Sequence, residues 1–217
     1  MKRIVIIAVF TFCTALVSPA RAQQAAEAKQ SQPSSAQSFA DVAIACLKRG
    51  EDATDPQEKL RLYREGLALG RRAVALDDGN ADAHFAVFAN NGRIMLLEGV
   101  SLNPLNLVRA NAELERTLEI QPNHYDALAA KGGLYRQLPW ALGGDLDKAE
   151  ETLRKAIDLN PNAVGARIEL ALTYRDKGEP GRGRPLLETA ARIAEQQGKQ
   201  RQLREARELL REIDGPH

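Results

Sequence analysis

The residues able to do chemistry in this chain are three histidines, one tryptophan, two cysteines and a scatter of carboxylates. His84, His124 and His217 are widely separated and show no metal-ligand spacing. No G-x-S-x-G, phosphate-binding loop or H-E-x-x-H pattern occurs, so neither an activated serine nor a catalytic zinc is expected. The acidic residues fall singly along helical stretches, where solvation is the default. Gly143-Gly144-Asp145 is too short to cradle a phosphate. It reads as a turn followed by a helix N-cap, because Asp145 can accept from the free N–H groups of the run after it. No catalytic residue, metal or cofactor is therefore expected, and binding is the chemistry left to consider. Trp140 is the only tryptophan. Its neighbours Leu138 and Leu142, with Pro139 stiffening the approach, favour local packing over the open end of a helix pair. The alternative is an indole that protrudes as an anchor for a partner.

The chain has 217 residues, 44% of them hydrophobic and 27% charged, enough to bury an ordinary core. Its start differs from the rest. Lys2 and Arg3 precede an apolar run from Ile4 to Val17, followed by Ala20-Arg21-Ala22. This order matches a secretory signal cleaved near Ala22, and the run is shorter than the roughly 20 residues needed to cross a bilayer. The expected destination is the periplasm or the exterior. Loss of Lys2, Arg3 and Arg21 would take the formal charge from +1 to −2, leaving no electrostatic case for nucleic acid or an anionic membrane. Cys13 would leave with the signal. Cys46 would then have no internal partner, and its setting among Val42, Ile44, Ala45 and Leu47 predicts a buried thiol. Residues 23–38, rich in Gln, Ala and Ser, read as a flexible linker, and residues 39–217 as one helical domain.

Within that domain the periodicity is helical, with no convincing strand alternation. One helix pattern recurs. Ala149-x3-Leu153-x2-Ala156-x4-Pro161 aligns with Ala110-x3-Leu114-x2-Thr117-x4-Pro122 and with Gly66-x3-Gly70-x2-Ala73-x4-Asp78. Gly183-x3-Leu187-x2-Ala190 is a fourth copy without the proline. Small residues at two slots let helices approach, and the large one fills the space between them. Proline restrains the residue before it from helical conformation, which supplies the stop. Leu128-x2-Lys131-Gly132-x2-Tyr135 and Leu170-Ala171-x2-Tyr174 supply partner helices. Over about residues 39–190 the chain thus resembles the tetratricopeptide repeat (TPR) family. That resemblance implies an all-α solenoid of about four helical hairpins. Leu203, Ala206, Leu210 and Ile213 form an apolar stripe on a last helix that would cap it.

The spacing from Asp78 to Pro122 is 44 residues and from Pro122 to Pro161 is 39, against 34 in the family. Both helix signatures survive in each repeat, so the extra residues belong between the helices, in "LLEGVSLNPLNLVRA" and "QLPWALGGDL". Such loops emerge on one side of a solenoid, often the binding side. The resemblance also implies that the first helix of each pair lines a concave face. Arg93, Arg136 and Arg175 would fall there near the helix C-termini, in a row suited to a carboxylate, although the helix dipole alone accounts for cations at those ends. Phe85 and Ile168 would share that face, or serve as ordinary packing. His84, where the repeat has a bulky residue, reads as a packing or inter-helix residue.

A narrower similarity covers "REGLALGRRAVALDDGNADAHFAVFANNGR" and "LPWALGGDLDKAEETLRKAI". It is to the periplasmic T-component of TRAP transporters, with a fainter one to the regulator of microtubule dynamics family. The expected function is a non-catalytic exported adaptor that binds a protein or peptide through its concave face and inserted loops. The alternative implied by the narrower similarity is a transport accessory holding a small apolar ligand or a periplasmic substrate-binding protein.

Overall fold

A computed structural model describes residues 35–99 and 104–214. Five of its helices begin where a side-chain acceptor meets the first free N–H groups. Ser35 caps α1 (Ala36–Asp52) in a reciprocal box with Ser38. Asp55 caps α2 (Pro56–Leu76) through the N–H groups of Gln57 and Glu58, and Asn80 caps α3 (Ala81–Glu98) through that of Ala83. After α4 (Pro104–Ile120), the ring of His124 accepts from Ala127 N–H to cap α5 (Tyr125–Gln137). Asp145 caps α6 (Leu146–Leu159) as expected. The remaining helices are α7 (Val164–Asp176), α8 (Pro180–Gln196) and α9 (Gln200–Asp214).

The helices pair as α1/α2, α3/α4, α5/α6 and α7/α8, each pair packs on the next, and α9 covers α8. This is an all-α, TPR-like solenoid of four hairpins with a C-terminal capping helix. The repeated slots are what nest it. Ala149, Leu153 and Ala156 are buried, as are Ala110, Leu114 and Thr117, then Gly66, Gly70 and Ala73, then Gly183, Leu187 and Ala190. Two glycines show why small residues stand there. A Cβ on Gly132 would lie 2.5 Å from Leu153 Cγ, and one on Gly66 would lie 2.4 Å from Asn90 Oδ1. Both distances are far inside van der Waals contact.

The two insertions fall between the helices of their repeats, at α3–α4 and α5–α6, although residues 100–103 of the first lie outside the described residues. So do the expected signal segment and the expected linker as far as residue 34. The linker's predicted end at residue 38 is corrected: α1 starts at Ala36, because the Ser35–Ser38 box nucleates the helix before the first apolar residue. Among the described residues no helix is long and apolar enough to cross a membrane.

The capping helix does more than cover α8. Leu203 and Ala206 join Ile168, Ala171, Leu187 and Ile193 in one core cluster. A second side of α9 reaches α7 and α1, where Arg201 lies 3.6 Å from Glu51. The first and last described helices are thereby brought together.

Candidate partner-binding surface

The α5–α6 loop is held by its own backbone hydrogen bonds. After Leu138 the chain makes a single 3-10 turn, Trp140–Leu142, closed by Leu142 N–H to Pro139 C=O (2.9 Å) and Gly143 N–H to Trp140 C=O (3.0 Å). Gly144 N–H donates back to Pro139 C=O at 3.0 Å, and Asp145 N–H to Tyr135 C=O at 2.8 Å. Gly143 adopts φ +92°, and Gly144 passes so close to Leu138 C=O that a Cβ would lie 1.7 Å from that oxygen. Both glycines are therefore structural requirements of the turn. The Asp145 carboxyl accepts from Asp147 and Lys148 N–H at 3.0 Å each. The Lys148 bond leads the interactions that hold its pKa below the usual carboxylate value.

This well-bonded loop presents its apolar side chains to water. Trp140 is 89% exposed and Leu142 is 51% exposed. The favoured expectation of local packing is thus replaced by protrusion, since the turn bonded back to Pro139 carries the indole away from the helices. The other inserted segment adds to the same edge of the stack, the edge where the first helix of each hairpin turns into the second. Leu96, Leu97 and Val108 are exposed at the ends of α3 and α4. Sequence reasoning missed these three. Their only advance signal was the length of the insertion that they flank.

The three arginines expected on a concave face are each neutralised by the chain's own acids. Arg93 pairs with Glu51. Arg136 is largely buried and pairs with Glu169 and Asp176, both at 3.0 Å. Arg175 reaches Asp176 at 3.3 Å and Glu212 of α9 at 3.7 Å. Glu205 of α9 also faces this zone, and burial raises its carboxyl pKa. The remaining two expected contacts are not at the surface. Phe85 is buried, with its ring centroid 4.9 Å from that of His124. Ile168 is 3% exposed because α9 lies over it. An open groove lined by these residues is corrected to a wall of intramolecular ion pairs spanned by α9.

The other chemically able residues serve the fold. His84 Nδ1 contacts Glu113 at 2.7 Å and its Nε2 contacts Asp78 C=O at 3.0 Å, tying α3 to α4 and to the preceding turn. Cys46 is buried, and that burial raises its thiol pKa. Among the described residues no group of three His, Cys, Asp or Glu is placed to hold a metal. An apolar cavity between α7, α8 and α9, lined by Leu172, Leu187, Leu209 and Ile213, measures about 190 Å³. Ordinary ligand pockets begin near 300 Å³. A larger depression of about 450 Å³, lined by Arg154, Ile157, Leu170, Tyr174 and Leu186, lies wide open to solvent and would enclose little of a small apolar ligand, so the small-ligand transport alternative is not favoured.

Stacked helical hairpins with small-large-small slots, closed by a capping helix, place this chain in the class of TPR-like helical-repeat proteins. No protein-family model matches it, and no curated protein matches it. Solved structures similar to it include MamA, at 18% identity over 80% of this chain and 86% of that one, with a TM-score of 0.48. Another is pilF of Pseudomonas aeruginosa, at 17% over 84% and 78%, with a TM-score of 0.48. A thermophilic TPR protein of Thermus thermophilus is 19% identical over 78% and 90%, again with a TM-score of 0.48. With TM-scores below 0.5, these likenesses add nothing to the architecture already evident in the chain's own helix pairing.

Proposed function

We propose that this chain is an exported, non-catalytic adaptor whose protein or peptide partner engages the inserted-loop edge around Trp140 instead of the concave face. One observation carries the reading: a tryptophan 89% exposed on a loop in which each turn is hydrogen bonded. Exposing a large apolar side chain gains nothing for the fold. Fixing it in advance removes the ordering cost that a flexible anchor would incur on binding. Trp is also the residue type most enriched at binding hot spots. Leu142, Leu96 and Val108 supply apolar area on the same edge. The concave arginines, each already holding a carboxylate, have less to offer a new anion.

The test is photo-crosslinking from position 140 in envelope extract, followed by binding of the recovered protein to the purified chain and to Trp140→Ala. The reading expects one dominant adduct and at least a tenfold loss of affinity in the variant. Equal affinity in Trp140→Ala would sink it. Export is tested separately by fusing residues 1–40 to a reporter that is active only outside the cytoplasm.

A further inference from the structure

We propose that the partner of the inserted-loop edge is a second copy of this chain, which meets it across a two-fold axis. This rests on the reading above that the edge binds, and it names what binds there.

Three observations point to self-association. First, exposed apolar side chains are concentrated at this edge. Of the nine large hydrophobic residues exposed among the described residues, Leu96, Leu97, Val108, Trp140 and Leu142 all lie in or beside the two insertions. Scattered apolar side chains need no explanation, but a gathered set marks an interface. Second, the size fits. Leu96 is 73% exposed and Val108 66%, and with Trp140, Leu97 and Leu142 they present on the order of 500 Å² of apolar surface. A standard interface takes about 800 Å² from each partner, and homodimer interfaces are about 65% apolar, which asks for about 520 Å². Third, the charges suit a like surface. The carboxylates beside the patch are already paired inside the chain: Glu98 with Arg64 at 2.7 Å, Asp145 with Lys148 at 3.6 Å and Asp147 with Lys177 at 2.7 Å. These pairs leave little charge of one sign to draw an oppositely charged partner or to repel a copy. The formal charge of the whole sequence, +1, is likewise too small to keep copies apart.

The layout of the patch supplies both halves of a symmetric contact. Trp140 and Leu142 come from one hairpin, and Leu96 and Val108 from the hairpin before it. The two hairpins are joined through the cluster of Phe85, Leu114 and Ala127. A two-fold interface sets one residue of the first copy on another of the second, and the reverse. Trp140 of each copy then covers Leu96 and Val108 of the other, so one interface holds two identical indole anchors. A neutral, apolar edge with a projecting ring and its own apolar seat is complementary to itself.

The lone tryptophan makes the test direct. The chain without its expected signal is followed by fluorescence and sedimentation velocity from about 0.5 to 500 µM, a span around the micromolar end of the affinities found for interfaces of this size. At the dilute end the indole stays in water. As dimer forms, its emission should move to shorter wavelength and the sedimenting species should double in mass. Trp140→Ala and Leu96→Asp, both at exposed positions, should each raise the dissociation constant at least tenfold. An equimolar mixture of these two variants should associate more tightly than either alone. The mixed pair keeps one intact contact of Trp140 on Leu96, and neither variant alone keeps any. A chain that stays monomeric throughout, or a mixture with no such rescue, would overturn the proposal. So would an emission shift caused by phosphatidylcholine vesicles and not by concentration, which would assign the edge to a lipid surface. A monomeric chain that still gives one dominant adduct to a different protein from position 140 would refute the second copy alone and leave the edge reading standing.

Discussion

Gly132 and Leu153 offer the most direct test of the nesting on which the architecture rests. Gly132 lies on α5 and Leu153 on α6, and a Cβ at position 132 would stand 2.5 Å from Leu153 Cγ and 2.9 Å from its Cδ2. Leu153 cannot yield. It is fully buried in one cluster with Ala149, Ala156, Leu128, Leu170 and Tyr174. Gly132→Ala gains about 1 kcal/mol of helix propensity but incurs an overpacking cost of roughly 1–3 kcal/mol, so the balance should be destabilising by about 1 kcal/mol. Leu153→Ala should cost about 2–5 kcal/mol through lost burial and the cavity left behind. The double variant decides the matter. With Leu153 truncated, the new methyl has room, so the propensity gain survives and the overpacking disappears. Gly132→Ala should then be stabilising in the Leu153→Ala background, a reversal of sign. The coupling between the two sites should be about 1–3 kcal/mol, the size expected for residues in direct contact. Urea unfolding followed by far-UV circular dichroism measures all four chains. Additivity within about 0.5 kcal/mol, with Gly132→Ala equally destabilising in both backgrounds, would mean that α5 and α6 do not meet through this pair, and the slot argument would fail with it.

Three further outcomes follow from particular contacts. Trp140 is the only tryptophan, so intrinsic fluorescence should report an indole in water, quenched by acrylamide about as readily as the free amino acid. Trp140→Ala should change stability by less than about 0.5 kcal/mol, as expected for a side chain with little burial to lose. Glu150 accepts from Lys177 at 2.7 Å, from the Tyr174 hydroxyl at 2.9 Å and from Arg182 at 3.0 Å, and the Lys177 bond leads in holding its pKa down to about 2. A depressed carboxylate stabilises the fold fully above its unfolded pKa of about 4.3, and this contribution is lost as pH falls from there towards 2. Glu150→Gln should therefore be less stable than the parent chain at pH 7 and show a flatter acid limb in urea unfolding between about pH 5 and 2. His124→Ala should cost about 2–4 kcal/mol, because it removes the α5 cap and also a buried ring that packs on Phe85 and contacts Asp82. His124→Asn should restore only the cap's share of about 1 kcal/mol, measured by the same unfolding midpoint.

What was legible in the sequence is what depends on neighbours close along the chain. Ala149, Leu153 and Ala156 announced their helix and its buried face because slot spacing is a local property. The insertions could be placed because intact helix signatures bracket them, and Asp145 could be read as a cap from the polar run behind it. The site was less legible because distant partners decide it. Arg136 sits where the repeat puts it, but Glu169 and Asp176, which neutralise it, are 33 and 40 residues away. Arg93 meets Glu51 across 42 residues. Nothing near Ile168 in sequence reveals that α9 returns to cover it. Trp140 was set against Leu138 and Leu142, whereas the turn bonded back to Pro139 aims it outward.

The contact between α9 and α1 also bears on where a partner can bind. The cap is held to α8 by an apolar stripe, in which burial of each large side chain contributes about 1.5–3 kcal/mol. Its link to α1 is of a different kind. Arg201 and Glu51 are 3.6 Å apart and partly exposed, and pairs of that sort contribute about 0–1 kcal/mol. This link therefore adds little stability, but it changes what the wall of ion pairs can do. Glu51 is shared between Arg93 and Arg201, and Asp176 between Arg136 and Arg175. Any ligand entering along this wall must break pairs that are already made and must desolvate both halves of each. At the inserted-loop edge no pair has to be broken, because Trp140 and Leu142 shed only water. The proposed binding at the edge is thus favoured by what a partner need not displace, whatever that partner's sequence.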